Sequence, residues 1–253
     1  MQLKIRCSSL NDIIGQRKDS LTLSQVEQLF ELGFKGDNRT AKQETEYKKL
    51  CKKYYNRPEF DLTEGAKTAV KKLVKKQRYG YTDTLSTKQM QKGIECEQDS
   101  IDLLNELYFT DYEKNETRIS NDYLTGECDI IDREQSLIID IKSSWSLETF
   151  PLIPEDIKLN GYDIQGHGYM LLYDVQEFVL SFCLVDTPDH LLNEYDNLDV
   201  HLVEIEIPIE ERETRLRFKR SKYMDELIEY KCKEAQRYAA WYSQQIDNKR
   251  LSQ

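Results

Sequence analysis

Two aspartates and a lysine near the middle of the chain have the types and spacing of a metal-dependent site that hydrolyses phosphate esters. Asp129 ends the segment Thr-Gly-Glu-Cys-Asp, and Asp140 precedes Lys142 by two residues at the end of an apolar run. Alternate side chains of a strand share a face, so Asp140 and Lys142 project together, and Asp129 can join them from a neighbouring strand. Magnesium prefers such carboxylate oxygens, and it activates water and neutralises charge on phosphate. Solvated sheet edges also show Asp-x-Lys alternation, so the surrounding residues must decide between a metal site and a solvated edge.

Further polar residues extend the pattern in the same order along the chain. Glu97 lies four residues after Gly93, near the start of a helical pattern, and could supply a third carboxylate. Gln165 and Tyr169 are also four residues apart, so a helix places both on one face. Both side chains are able to donate hydrogen bonds to a phosphate.

The ordered set of motifs resembles a known group of enzymes. Four motifs follow one another between Gly93 and Tyr169: Gly-x-x-x-Glu, Asp, Asp-x-Lys and Gln-x-x-x-Tyr. This order is similar to that of the PD-(D/E)XK nuclease superfamily. Within it, the chain resembles the branch that contains phage lambda exonuclease, YqaJ-type viral recombinases and RecB-like nucleases. The segment Ile-Arg-Cys-Ser-Ser-Leu at 5–10 resembles the Ile-Thr-Ala-Ser-like segment that opens viral exonucleases.

The resemblance implies a role for each matching residue. It implies metal ligation by Asp129, Asp140 and the Ile141 carbonyl, with Glu97 near a second metal ion. It makes Lys142 the catalytic lysine. Residues that support the site or contact the DNA backbone are then Gln165, Tyr169, Ser8, Arg6, Lys71 and Lys72.

The chain also departs from the family pattern. Cys128, rather than proline, precedes the first aspartate, and Asp140 occupies a position that is often glutamate in relatives. An arginine ahead of the serine motif is implied to hold the 5′-phosphate, and here the candidates are Lys4 and Arg6. Glu127 shares the strand face of Asp129 and is either an additional ligand or, as we favour, a solvated carboxylate.

The net charge of −10 argues against DNA binding through a global positive field. Lysines nevertheless cluster locally. The segment 66–78 puts alanine, valine and leucine on one helical face and lysines, among them Lys71 and Lys72, largely on the other. A second cluster lies at 48–53. Such stripes either track DNA phosphates or form a solvated face.

Length and pattern predict one α/β (α+β) domain over 1–253. The expected fold is a restriction-endonuclease-like core, with a central mixed β-sheet flanked by helices. We assign 1–90 to a mostly helical N-terminal region, 91–210 to the catalytic core and 211–253 to a long C-terminal helix.

Periodicity predicts the elements within these segments. We expect helices over 25–32 with Ser24 as the N-cap, and over 41–55, 63–78, 91–108, 161–174 and 221–247; residues 9–55 are expected to be mostly helical. Strands are expected at 3–7, 117–120, 124–131, 136–142, 177–185 and 201–207. The loop 143–160 contains Trp145 and Phe150, which either stack on a base or, as we favour, pack under the loop.

The remaining composition narrows the cofactors and the location. Six scattered cysteines without a Cys-x-x-Cys pair indicate neither a zinc site nor a tight disulfide scaffold. Some RecB-like relatives hold an iron–sulfur cluster with one cysteine near the N-terminus and three close together near the C-terminus; only Cys232 lies late in this chain, so no cluster is expected. Three histidines offer no constellation for a histidine-based nuclease. No apolar run spans a bilayer and the N-terminus lacks the apolar stretch of a signal peptide, so we expect a cytoplasmic protein, in the host cytoplasm if viral.

Together these observations predict a Mg²⁺-dependent deoxyribonuclease in which Mn²⁺ can substitute. The resemblance favours a phage-type exonuclease that acts 5′ to 3′ on double-stranded DNA ends in recombination or replication. It also implies a homo-oligomer and a single-strand annealing protein as a partner. The alternatives are a structure-specific or restriction-type endonuclease and, less favoured, an inactive DNA-binding scaffold.

Overall fold

The computed structural model describes residues 3–15, 17, 20–56, 58–81 and 87–251. Two compact units are distinguished within the chain. The helical unit comprises Met1–Ile5, Ser9–Tyr81 and Glu226–Gln253, and the sheet unit comprises Arg6–Ser8 and Thr82–Asp225. The single domain predicted over 1–253 stays a prediction. Within the described residues, no helix combines the length and apolarity needed to cross a membrane.

Helices dominate the chain, and threonine side chains cap four of them. The hydroxyls of Thr22, Thr40, Thr63 and Thr87 accept hydrogen bonds from backbone amides in the first turn of the helix that each precedes, which satisfies donors that have no partner inside the helix. The helices are α1 (Leu23–Phe34), α2 (Ala41–Tyr55), α3 (Glu64–Tyr79), α4 (Lys88–Glu95), α5 (Glu97–Tyr108), α6 (Tyr162–Tyr173) and α7 (Lys222–Leu251).

Within the described part of the chain, seven strands form two sheets. The larger sheet has the order β4-β5-β6-β7, in which β5 and β6 are parallel and the outer pairs are antiparallel. The smaller sheet has the order β1-β3-β2. The strands are β1 (Ile5–Arg6), β2 (Ile119–Ser120), β3 (Leu124–Gly126), β4 (Ile130–Asp132), β5 (Leu137–Ser143), β6 (Glu177–Cys183) and β7 (Glu213–Lys219).

Strand β5 is covered on both faces by helices. Ile139 and Ile141 belong to one apolar cluster with Ile101 and Leu104 of α5. Ile138 belongs to another cluster, which includes residues of α6. Because side chains alternate along a strand, the even-numbered residues of β5 face α6. The predicted mixed sheet flanked by helices is therefore confirmed, including a long C-terminal helix. The helix begins at Lys222 and not at residue 211 as assigned, because Glu213–Lys219 forms β7 instead.

Several predicted boundaries were wrong. The helix expected over 91–108 is interrupted at Cys96, whose backbone leaves the helical conformation, so two helices replace it. The N-cap of α1 is Thr22 rather than Ser24, because Thr22 and Gln25 form a reciprocal capping box. The strand expected over 124–131 is split, and the residues 127–129 connect β3 to β4. Within the helical prediction over 9–55, Gln16, Lys18 and Asp19 lie outside the described residues.

The strand predicted over 201–207 is also wrong, although its alternation is regular. This segment forms turns, and the Asp186 carboxylate accepts hydrogen bonds from the amides of Val203 and Glu204. The neighbour of β6 is instead β7, which pairs with it from Glu177↔Lys219 to Cys183↔Glu213. Alternation alone did not distinguish these two segments, because each mixes apolar and charged residues.

Helix α6 packs on β6 so closely that Gly166 tolerates no side chain. A Cβ at this position would lie 2.2 Å from Cδ1 of Phe178. We expect Gly166→Ala to destabilise the sheet unit by about 3 kcal/mol, the upper end of typical overpacking costs. Thermal and urea unfolding measure the change. Gly93→Ala in α4 is the control, since no atom lies within 4 Å of its Cβ. Equal stability of both variants would contradict this packing.

Candidate active site

Strand β5 presents Asp140 and Lys142 on its α6 face. Lys142 Nζ lies 2.5 Å from Asp140 Oδ2, and the ammonium also lies 4.9 Å from the centre of the Tyr162 ring. The carboxylate of Asp140 is almost fully buried. The acidic and basic side chains therefore meet at one point beside the helix, as the Asp-x-Lys spacing predicts.

Asp129 reaches the same place from the connection that leads into β4. Its Oδ2 accepts a hydrogen bond of 2.6 Å from the backbone amide of Ile141. Strand β4 pairs with β5 through Ile130↔Ile139, which holds Asp129 next to β5. Ile141 lies between Asp140 and Lys142 in the chain. Its amide therefore holds Asp129 next to both residues.

Helix α6 adds the two residues of the Gln-x-x-x-Tyr motif. Gln165 Nε2 donates to Asp140 Oδ1 at 3.0 Å and to the Tyr169 hydroxyl at 3.2 Å. The Tyr169 hydroxyl donates to the carbonyl oxygen of Glu127 at 2.9 Å. This chain of hydrogen bonds fixes the orientation of Asp140 and ties it to the segment that carries Asp129.

Glu97 and Glu127 both pair with cations. Glu97, in the first turn of α5, lies 2.8 Å from Lys114, and Glu127 lies 3.0 Å from Arg118. Glu97 remains near enough for its charge to act on Asp129. The structure therefore groups Asp129 with Asp140 and Lys142, while Glu97 lies beside this group with a lysine as its partner.

Burial and charge both act on the ionisable groups of the site. Burial, followed by the neighbouring Asp140 carboxylate, raises the pKa of Asp129. Burial alone would lower the pKa of Lys142, but Asp140 and Asp129 outweigh it and raise that pKa. Lys142 is therefore a protonated cation at neutral pH.

The donor set fits a hard divalent cation. Asp140 Oδ2 is buried, and the ammonium of Lys142 lies 2.5 Å from it. The carboxylate of Asp129 is close enough to act on Asp140, and one lysine does not offset two buried carboxylates, so a further cation would stabilise the pair. Among the described residues, no three His, Cys, Asp or Glu side chains are already grouped as ligands. Two carboxylates are nonetheless sufficient for Mg²⁺, which keeps several waters. Asp129 and Asp140 would hold it.

A small polar pocket of about 130 Å³ adjoins the site. Arg6 and Ser8, both predicted from the serine motif, line it together with Arg118 and Tyr169. Gly126 also lines it, and a Cβ there would lie 2.8 Å from the Tyr169 ring. Sequence reasoning missed Arg118, because an isolated arginine ahead of a two-residue strand carries no local signal.

Lys92 was also missed, and it holds α4 in place. This fully buried lysine donates to the carbonyl of Val185, the hydroxyl of Thr187 and the carbonyl of Trp145. Burial lowers its pKa to about 8. Trp145 follows the end of β5, and Val185 and Thr187 follow the end of β6. Lys92, which directly precedes Gly93, therefore connects α4 to the ends of both parallel strands. Phe150 is buried in the same region and packs under the loop, as we favoured.

Comparison with known proteins supports the same group. No protein-family model and no curated protein matches the chain. The chain is similar to a phage-related exonuclease from Haemophilus somnus 129PT, with 29% identity, a TM-score of 0.77 and 97% of each chain covered. This likeness supports the predicted resemblance to the phage-type exonuclease branch of the PD-(D/E)XK nucleases. An alkaline exonuclease from Laribacter hongkongensis shares the fold at 13% identity and a TM-score of 0.55, over 93% of this chain and 95% of that one.

Charge is divided unequally between the two units. The helical unit contains 22 Lys and Arg against 14 Asp and Glu, a net +8, and the sheet unit contains 14 against 32, a net −18, which together give the −10 of the chain. Lys71 and Lys72 lie on α3, opposite the buried residues Ala66, Val70 and Val74. The predicted lysine stripe is thus part of a basic unit.

Asp129 gives a test of the site that does not require cleavage. Because its pKa is raised, the native state holds this proton more tightly than the unfolded chain does, whose aspartates titrate near pH ~3.9. Ionisation therefore costs stability as pH rises through the raised pKa. We expect Asp129→Asn to raise the melting temperature at pH 8 in chelator by about 2–4 °C, the shift that about 1 kcal/mol gives in a chain of this size.

The stability difference should shrink as the pH falls to about 3, below both pKa values, where most of the wild-type carboxyl is protonated in both states. Circular dichroism melts across this range measure it. Asp111→Asn, at an exposed position of the same unit, is the matched control. A difference independent of pH would contradict the role given to buried charge.

Proposed function

We propose that this protein is a metal-dependent DNA exonuclease that acts on double-stranded ends, with 5′ to 3′ polarity. The observation that carries the proposal is the convergence of Asp129, Asp140 and Lys142 with the Gln165–Tyr169 pair on one face of β5. The likeness to a phage-related exonuclease over almost the full chain supports the same activity.

Each residue of the chain has a distinct task in this proposal. Asp129 and Asp140 would hold Mg²⁺, which supplies water activation and charge neutralisation when bound. Lys142 keeps its proton and provides a fixed positive charge toward the scissile phosphate. Gln165 holds Asp140 in one orientation, and Tyr169 fixes Gln165. The neighbouring Glu97 would act through a second metal ion, as the resemblance implies.

The pocket formed by Arg6, Ser8 and Arg118 supports the proposed polarity. Two guanidinium groups and a hydroxyl are suited to a terminal phosphate, because arginine donates paired hydrogen bonds to phosphate oxygens. Glu127 also lines the pocket and pairs with Arg118, so a phosphate would replace this carboxylate as the partner of Arg118. Tyr169 links this pocket to the catalytic aspartates. Arg6 thereby remains the sequence candidate for 5′-phosphate binding, with Arg118 as a second arginine.

The helical unit supplies the proposed contacts to the DNA backbone. Its net charge of +8 opposes the −18 of the sheet unit, so phosphates are attracted to the former. Lys71 and Lys72 are the residues that we assign to this contact. The resemblance adds three proposals that depend on it alone: a homo-oligomer, a single-strand annealing partner and a place in DNA recombination in the cytoplasm.

Cleavage of a linear duplex labelled separately at each end tests the activity. We expect Mg²⁺ or Mn²⁺ to support loss of nucleotides from a 5′-phosphorylated end, and chelator to abolish it. Lys142→Ala should lower the rate by at least about 100-fold, as loss of a transition-state charge does. Lys158→Ala in the same unit is the matched control. Gel analysis of the two labels gives the polarity.

The same assay contains the results that would overturn the proposal. Cutting of a closed circular duplex would make the protein an endonuclease. Full activity of Lys142→Ala would remove the proposed catalytic lysine. Equal rates on 5′-phosphate and 5′-hydroxyl ends would remove the terminal phosphate from the mechanism.

Charge reversal on α3 tests the DNA contact separately. Lys71→Glu with Lys72→Glu should weaken duplex binding in chelator and make the dependence of log K on log salt shallower by about 2, one unit for each lost phosphate contact. The control is Lys35→Glu with Lys42→Glu, which changes the charge of the same unit equally at exposed positions. Anisotropy across a salt series measures both. Identical slopes in the two double variants would show that the stripe makes no specific contact.

A further inference from the structure

A pocket of the helical unit has no part in the proposed cleavage. It has a volume of about 800 Å³ and lies among α1, the end of α2, the segment 58–61 and α7. From α7 it receives Tyr230, Glu234 and Arg237, whose spacing of four and three residues places them on one helical face. Its size is in the range of pockets that bind ligands or peptide side chains.

Aromatic side chains form the walls of this pocket. Phe30 of α1 is 57% exposed and Tyr55 of α2 is 82% exposed, and Tyr54 and Tyr230 also line it. A smaller pocket of about 350 Å³ shares Phe30, Tyr54 and Tyr55. Exposed aromatic residues gathered around a concavity are unfavourable in water and mark an interaction surface.

The floor of the pocket contains buried polar atoms that have no hydrogen bond. Asp61 is held by Lys231, 3.2 Å from its Oδ2, and its amide donates to Glu234. Asp61 Oδ1 and the hydroxyl of Ser20 are buried without a hydrogen-bond partner among the residues that the structure describes, and both residues line the pocket. An unsatisfied buried carboxylate oxygen costs free energy, so it favours an occupant that brings a donor.

The charge of the pocket is opposite to that of the unit around it. Its charged lining residues are Glu59, Asp61, Glu234 and Arg237, and Arg237 already pairs with Glu234. Three carboxylates against Arg237 and against Lys231, which holds Asp61, leave one net negative charge at the pocket, within a unit of net charge +8. DNA phosphates are repelled at such a site, whereas a cation is attracted.

We infer that this pocket binds a lysine or arginine side chain of a partner polypeptide, together with an adjacent apolar residue. The cation can donate to Asp61 Oδ1 and lie over the faces of Tyr55 or Tyr230, where ring and charge attract each other. The apolar neighbour fills the space between Phe30 and Tyr54. This inference is independent of the proposed nuclease activity.

Anisotropy with two fluorescein-labelled pools of random hexapeptides tests the inference on the full chain. One pool has Leu-Arg fixed at its centre and the other has Leu-Glu. We expect the apparent Kd of the Leu-Arg pool to be lower by about tenfold or more. Tyr55→Ala and Glu59→Lys should each weaken binding by about fivefold or more. Tyr195→Ala and Glu31→Lys, at exposed positions outside the pocket, are the matched controls and should bind as the wild type does.

Several results would overturn the inference. Equal binding of both pools, no saturable binding, or full binding by Tyr55→Ala and Glu59→Lys would remove the cation from the pocket. Competition by an oligothymidine that the same variants abolish would make the pocket a DNA site. Loss of self-association in these variants, measured by light scattering, would make a second copy of the chain the occupant. Lys142→Ala must bind the Leu-Arg pool normally, which separates this inference from the nuclease proposal.

Discussion

The site is built on β5, whose two faces are both covered by helices. The hydrogen bond from the Ile141 amide to Asp129 forms only when β5 keeps this position. The odd-numbered side chains of β5 pack against α5, so the even-numbered ones must face α6. A shift of register by one residue would bury Asp140 and Lys142 in the apolar cluster beneath α5. The parallel pairing of β5 with β6, over seven residue pairs, prevents this shift.

The same constraint gives the site its electrostatic character. Asp140 is buried beside Asp129, and the cost of two close carboxylates is reduced by Lys142, by Gln165 and by the Ile141 amide. These partners orient the aspartates without neutralising both of them. Such stored unfavourable charge is typical of sites that gain their full stabilisation only when a cation or substrate binds.

Local patterns in the sequence were sufficient for the site but not for all of its surroundings. The spacing of Asp140, Lys142, Gln165 and Tyr169 defines faces of a strand and a helix, and the structure has these elements. Their catalytic roles stay predictions. Arg118 and Lys92 could not be found in this way, since their partners lie up to 95 residues away and no period connects them.

The same limit applies to the secondary structure that was predicted wrongly. The segment at 201–207 alternates regularly, yet the Asp186 carboxylate stabilises turns there, and pairing with β6 selects Glu213–Lys219 instead. Cys96 divides a helix that would otherwise run continuously. At 201–207, contacts with residues far away in the chain, and not the local pattern, determined the secondary structure.

The order of the two units along the chain has a consequence for biosynthesis. Apart from Arg6–Ser8, the sheet unit is one continuous segment, whereas α7 of the helical unit is translated after it. At 5–20 residues per second, the ribosome needs roughly 7 to 30 s to make the intervening segment. During this interval the nascent α1–α3 segment lacks the α7 residues that complete its core, and its apolar surface is exposed to chaperones. The helical unit therefore becomes complete only after the ribosome has made the residues of α7.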